Sequence, residues 1–181
     1  MNTFEWKSSF AQNIFRLKYA MGPNDSWPIL ARRLVDDVCG TRGGTTHPLM
    51  STDDLKELTQ MIIDMEFIPG GRYLYYAGRP VSYFNNCFCL KGEADTREEW
   101  GALLQRASDC LMSGGGIGVN YDIFREAGRR LGRTGGVSSG PIPLMHSINE
   151  VGRNVMQGGS RRSAIFASLN WQHGDIEQFL Q

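Results

Sequence analysis

The residues best suited to chemistry in this 181-residue chain are a pair of cysteines and three glycine-rich turns. Cys87 and Cys89 lie two apart in Phe84-Asn-Asn-Cys-Phe-Cys-Leu90, a run that reads as a strand, so both thiols point to one face. A disulfide between them is disfavoured, because their Cβ vectors run parallel and the Cα gap sits near the upper limit for a bridge. Two readings stay open. Free cysteines are commonly small buried hydrophobes; alternatively, one is a redox thiol beside a substrate pocket. Asn85 and Asn86 favour the second, since paired amides are unusual on a core strand unless they meet a ligand or a loop.

The turns are Ser113-Gly-Gly-Gly-Ile-Gly118, Arg133-Thr-Gly-Gly-Val-Ser-Ser-Gly-Pro141 and Gln157-Gly-Gly-Ser-Arg-Arg-Ser163. Glycine lets a ligand approach the main chain closely. Exposed amides and arginine forks complement anionic oxygens. The ligand class these turns suggest is nucleotides, with Arg161 and Arg162 able to clamp a phosphate or a base. No turn matches a known phosphate loop. Counting from Gly114 or Gly116, the last position of G-x-G-x-x-G falls on Val119 or Tyr121, and no G-x-x-x-x-G-K-[ST] occurs. Taken alone, Gly114 to Gly118 reads as a helix stop leading into a strand.

Other chemistry-bearing residues have plainer explanations. His146 on a helix reads as a partly buried structural histidine, and His173 as a turn or cap residue. The Asp53-Asp54 and Glu98-Glu99 pairs fall in first turns of helices, where they complement the dipole. The four cysteines show no CxxC spacing and the three histidines are scattered, so no metal site is expected.

The elements that must position these residues follow from periodicity. Trp6, Phe10, Ile14 and Leu17 recur at helical spacing over Phe4 to Tyr19. A second helix is expected from Ser26 to Cys39, with Ser26 as cap, Pro28 in its first turn and Gly40 as stop. After the polar stretch 41–50, a third helix follows Ser51 with Leu55, Leu58, Ile62 and Met65 on one face. Residues 1–66 thus form a helical region. Phe67 to Arg72 breaks the helical pattern, and the aromatic run Tyr73 to Tyr76 comes next. A helix starts at Thr96, where Thr96 and Glu99 fit a capping box, and buries Trp100, Leu103, Leu104, Ala107 and Leu111. Another follows Pro143, with Leu144, Ile148, Val151 and Val155 aligned; Ser163 to Leu169 reads as a strand. Strands alternating with helices give an α/β class with parallel pairing. The chain closes on what reads as the opening of a helix at Asp175.

Composition limits the function. Hydrophobic residues make up 41% and charged residues 21%, with 19 basic and 19 acidic side chains. A net charge of zero argues against a general nucleic-acid binder. No apolar run is long enough to span a membrane, and the first residues lack the layout of a secretion signal, so a cytoplasmic location is expected.

Ile68-Pro-Gly-Gly-Arg72, Asn85-Asn-Cys87, Gly114-Gly-Gly-Ile-Gly118, Thr134-Gly-Gly-Val-Ser-Ser-Gly-Pro141, Gln157-Gly-Gly-Ser-Arg-Arg-Ser-Ala164 and His173-x-Asp-Ile176 occur in this order. Together they resemble the N-terminal part of the ribonucleotide reductase catalytic subunit, closest to the adenosylcobalamin-dependent (class II) enzymes acting on ribonucleoside triphosphates. The resemblance covers most of the chain from Phe67 onward. It implies the first half of a ten-stranded α/β barrel over residues 67–181, with thiyl-radical reduction of ribonucleotides for DNA synthesis.

By the same resemblance, Cys87 is the first thiol of the redox pair. Asn86, Gly116 and Gly71 contact the substrate. Asp95, Arg125, Gln157 and Arg161 belong to the site for an allosteric deoxynucleoside triphosphate. Residues 125–134 correspond to the first specificity loop and 157–163 to the second. The implied cofactors are adenosylcobalamin, held mostly outside this chain, and a dithiol reductant such as thioredoxin. The implied partners are the C-terminal half on a separate chain and a second copy, docked through the helices near Thr96 and Pro143; neither nucleic acid nor membrane is among them. Cys89 has no counterpart role, and Gly174 stands where proline is usual, which loosens that turn. A non-catalytic nucleotide-binding and dimerisation module, or an orphan fragment, is the alternative.

Overall fold

The computed structural model describes residues 4–40, 50–132, 135–154 and 163–181. They divide into two compact units, one ending at Phe84 and one running from Asn85 to Gln181.

The first unit is helical. Helix α1 (Ser9–Lys18) starts at Ser8, whose hydroxyl accepts from the Ala11 amide at 3.1 Å. It begins later than its periodicity suggests, and its expected inner stripe faces outward: Phe10 and Leu17 are more than 70% exposed. Phe15 takes the inner position instead, its ring centroid 5.2 Å from Trp6 and 6.5 Å from Trp27. Helix α2 (Trp27–Val35) buries Leu30, Ala31, Leu34 and Val35. Ser26 occupies its N-cap position, yet its hydroxyl makes no capping bond; its amide donates to Asp25 at 3.0 Å. A π-helical turn, Asp36–Gly40, ends this stretch. Helix α3 (Thr52–Ile63) has a reciprocal capping box between Ser51 and Asp54, and those bonds hold the Asp54 carboxyl below its ordinary range. Met65 lies past the helix end at a left-handed φ of 61°, so the apolar face of α3 stops at Ile62. The aromatic run is itself helical, forming α4 (Gly71–Tyr76).

The second unit is a three-stranded parallel sheet in the order β1 (Cys87–Lys91), β2 (Gly116–Asn120), β3 (Ile165–Ser168). Helices α5 (Arg97–Met112) and α6 (Ile142–Asn154) both cover one face. Leu103, Ala107 and Leu111 of α5 and Leu144 and Ile148 of α6 pack with Ile117 and Val119, joined by Phe88, Leu90, Ile165 and Ala167. The expected stripe of α5 is the observed one. A short helix, α7 (Ile176–Phe179), follows Asp175. The capping box expected at Thr96 is half formed. Thr96 accepts from the Glu99 amide at 3.1 Å, but the Glu99 carboxylate turns to Arg106 and the Glu93 amide. An arginine fork outcompetes the cap backbone for a carboxylate. His146 is exposed on α6 rather than partly buried; its position falls off the stripe defined by Leu144 and Ile148.

Candidate functional site

Parallel pairing fixes which side chains share a face. Cys87 stands opposite Gly116, Cys89 opposite Gly118 and Lys91 opposite Asn120; Gly118 stands opposite Phe166 and Asn120 opposite Ser168. Alternation then sends Phe88, Leu90, Ile117, Val119, Ile165 and Ala167 to the helices, and the thiols to the other side. Among the described residues, no element of this unit covers that side. Cys87 and Cys89 are both exposed, so neither is a buried small hydrophobe.

The glycines of the middle strand separate into two kinds. Gly114 has φ +82°, a left-handed turn after α5, and a Cβ on Gly115 would overlap the Phe88 ring. Both are demanded by the chain's own geometry. Gly116 and Gly118 are not. A Cβ at Gly116 would lie 3.4 Å from the Ala164 carbonyl, and one at Gly118 would lie 3.9 Å from the Phe166 ring, both tolerable separations. Glycine inside a strand costs roughly 0.5–1 kcal/mol relative to alanine. Two such costs, unforced by packing and on the thiol face, leave room for something else to approach the backbone. The result is a channel floored by Gly116 and Gly118, with thiols along one wall and Phe166 along the other. The walls are two strand spacings apart, about 10 Å. Asn86 is exposed just before β1, and its carbonyl accepts the Gly116 amide at 2.8 Å.

Asp95 and Arg125 also come together. Arg125 Nε donates to Asp95 Oδ2 at 2.6 Å, Arg125 Nη2 to the Asp95 carbonyl at 3.1 Å, and the Arg125 amide to Asp95 Oδ1 at 3.3 Å. The pair is about one-third exposed on each side, so it contributes no more than about 1 kcal/mol to stability. Its value lies in fixing the start of the hairpin that follows. There Gly128 and Ser138, Arg129 and Ser138, and Leu131 and Gly136 exchange backbone bonds at 2.8 Å, around an antiparallel bridge between Arg130 and Val137.

Gly71 opens α4 in the first unit, 3.2 Å from the Tyr19 hydroxyl if given a Cβ. Gln157 and Arg161 lie outside the described residues. Phe166 was not singled out in the sequence, and Gly118 only as the end of a glycine-rich turn. The period-2 pattern of strand 165–168 could have split its two faces, but only the register shows that Phe166 and Cys89 flank the same glycine. Among the described residues, no group of three His, Cys, Asp or Glu side chains could hold a metal, and no helix is long and apolar enough to cross a membrane.

A family model for the ribonucleotide reductase barrel domain matches residues 85–181, the whole sheet unit. The vitamin B12-dependent ribonucleoside-diphosphate reductase of Mycobacterium tuberculosis is 32% identical over 120 residues, 66% of this chain and 17% of that protein. The enzyme of the same name from Thermoplasma acidophilum is 29% identical over 126 residues, 70% of this chain and 16% of that protein. The ribonucleoside-diphosphate reductase large chain of Schizosaccharomyces pombe is 32% identical over 109 residues, 60% of this chain and 13% of that protein. A parallel sheet with an open thiol face, lying wholly within the matched segment, defines the class: the chain belongs to the ribonucleotide reductase family, in its barrel domain. It spans about a sixth of the length of the curated relatives it matches.

Proposed function

We propose that this chain is a component of a ribonucleotide reductase working in the cytoplasm, and that it contributes the first half of a ten-stranded barrel. The observation that supports this most directly is Cys87, exposed on the open sheet face and in register with Gly116. In this reading the ribose lies over Gly116 and Gly118, with Asn86 beside it. The Cys87 thiol and a second thiol give up two electrons and two hydrogens. The C2′–OH bond breaks, its oxygen leaves as water, C2′ gains a hydrogen, and the two sulfurs become a disulfide.

Cys89 does not suit the role of second thiol. Residues two apart on a strand are about 6.6 Å apart at Cα, with parallel Cβ vectors. The second thiol therefore comes from elsewhere in the complete enzyme. Adenosylcobalamin would supply the radical when bound. The described residues do not fit it, because a flat open sheet face offers no cradle for a corrin ring. The chemistry assigned to this chain stops at the thiol and the sugar seat. The external reductant is a dithiol protein of the thioredoxin type.

The test is Cys87→Ser in the complete enzyme, supplied with adenosylcobalamin and assayed with ribonucleoside di- and triphosphates. The resemblance favours triphosphates, whereas the relatives' names specify diphosphates. Turnover is expected to vanish while assembly and homodimerisation persist; retained multiple turnover would overturn the assignment.

A second reading, a non-catalytic nucleotide-binding module, is favoured by one feature: the Asp95–Arg125 pair and its hairpin are complete within this chain. It predicts calorimetric binding of a deoxynucleoside triphosphate without a partner, unaffected by Cys87→Ser and weakened by Arg125→Ala. Gln157 and Arg161 would contribute to the same site.

A further inference from the structure

The segment after β3 has a structural task that neither catalysis nor effector contact explains. Three of its residues reach back to the stretch leading into the hairpin. The Asn170 amide donates to Asp122 Oδ1 at 2.6 Å. His173 Nε2 meets the Phe124 carbonyl at 2.7 Å, while its Nδ1 accepts from the Asp175 amide at 3.1 Å. An accepting Nδ1 carries no proton, so Nε2 bears the hydrogen and donates to Phe124: the ring is neutral, in a single tautomer. Asp175 is buried, and both its carboxylate oxygens accept from the Ala127 amide, at 3.1 and 3.0 Å.

Asp175 also touches the other end of the hairpin. Gly140 has φ +74°, and a Cβ there would overlap Asp175 Oδ2 and come within 3.0 Å of the Ala127 amide. Both ends of the hairpin neck thus converge on one carboxylate. Gly174 completes the contact. A Cβ on it would lie 2.7 Å from Glu126 Cβ, so glycine here tightens the turn rather than loosening it. Phe124, Glu126 and Ala127 bracket Arg125. A buried carboxylate is costly unless well bonded, and Asp175 sits at the N-cap position of α7 without capping it. Its bonds go instead to Ala127.

We propose that His173 and Asp175 are positioning residues that clamp the hairpin neck to the exit of β3, and that nucleotide affinity at Asp95–Arg125 depends on this clamp. The link to nucleotide rests on the effector-site reading above; the clamp itself does not. The same 181-residue chain serves for both measurements. Hydrogen exchange at the Ala127 amide reads the clamp. Calorimetry with each of the four deoxynucleoside triphosphates reads the site.

Asp175→Ala is expected to speed Ala127 exchange at least about tenfold and to weaken binding about tenfold, with exchange in the α5 core unchanged. Asp175→Asn, which retains one acceptor, falls between. His173→Gln, which can still donate to the Phe124 carbonyl, restores most of the affinity lost in His173→Ala. Glu177→Ala, exposed on α7, changes neither readout. Unchanged Ala127 exchange in both Asp175 variants would overturn the clamp. Faster exchange with undiminished affinity would overturn its link to binding. Absence of any binding by the native chain would overturn the effector reading and that link together, while the exchange result still decides the clamp.

Discussion

The two faces of the small sheet are built to opposite rules. One is covered by α5 and α6 and filled with Phe88, Leu90, Ile117, Val119, Ile165 and Ala167. The other presents two thiols, two glycines and an exposed phenyl ring, with no described element of this unit packed upon it. The covered face is where folding energy is gained, since apolar burial stabilises by roughly 25 cal/mol per Å². The open face gives up strand propensity at Gly116 and Gly118 and leaves Phe166 in solvent. In a sheet five residues long that is a local loss with no local return. The difference teaches that folding stability is drawn from one side of the three strands, which leaves the other free for the chemistry proposed above.

The comparison breaks most visibly if the covered face tolerates loss of mass. Leu103→Ala, at a fully buried position on α5, is expected to lower stability by about 2–5 kcal/mol in denaturant unfolding. A loss under 1 kcal/mol would show that α5 does not seal the core. The glycines give the next largest contrast. Gly115→Ala overlaps the Phe88 ring and is expected to cost about 1–3 kcal/mol. Gly118→Ala is expected to be neutral or to stabilise by up to about 1 kcal/mol in the same assay, while impairing turnover of the assembled enzyme. Equal costs at the two positions would erase the distinction between structural and open glycines.

Thiol chemistry sharpens the comparison without altering stability. Cys87 and Cys89 are exposed. Burial pushes the Cys39 and Cys110 thiols up, with the Asp109 charge adding to the shift at Cys110. Timed iodoacetamide labelling followed by peptide mass spectrometry should modify the first two well before the others, because the thiolate is the nucleophile. Labelling of Cys110 first would mean that the covered face opens. The smallest effect concerns Glu99. Its bonds from Arg106 and the Glu93 amide hold its carboxyl below the ordinary range. A lowered pKa stabilises above the unfolded value and loses that contribution as pH falls through the folded one. Glu99→Gln should therefore lower stability slightly at neutral pH, flatten the acid end of the stability–pH curve, and match the native chain once the pH is below the folded value.

The legible parts of the fold were those governed by nearest neighbours. The α5 stripe, the first-turn acids at Asp53 and Glu98, the strand containing Cys87 and the turn role of His173 all follow from spacing and side-chain type. The errors occurred where a periodic pattern admits two solutions. Helix α1 could bury either Phe10 and Leu17 or Phe15, and the partner ring of Trp27 selected Phe15. Thr96 and Glu99 match a capping box, and Arg106, two turns beyond Glu99, diverted the carboxylate. Ser26 matches a cap, and the neighbouring Asp25 took the amide.

By itself, then, the sequence determined most of the helices and strands, though not α4, along with which residues on a strand share a face and which glycines follow a helix end. These are consequences of fixed backbone periods and of φ preferences that a residue carries with it. Only the tertiary structure decided which face would be left open, that Gly118 would sit between Cys89 and Phe166, and that Asp175 would bond Ala127, 48 residues away in sequence. Strand register and long-range hydrogen bonds depend on how distant segments share space, and no local pattern encodes that choice.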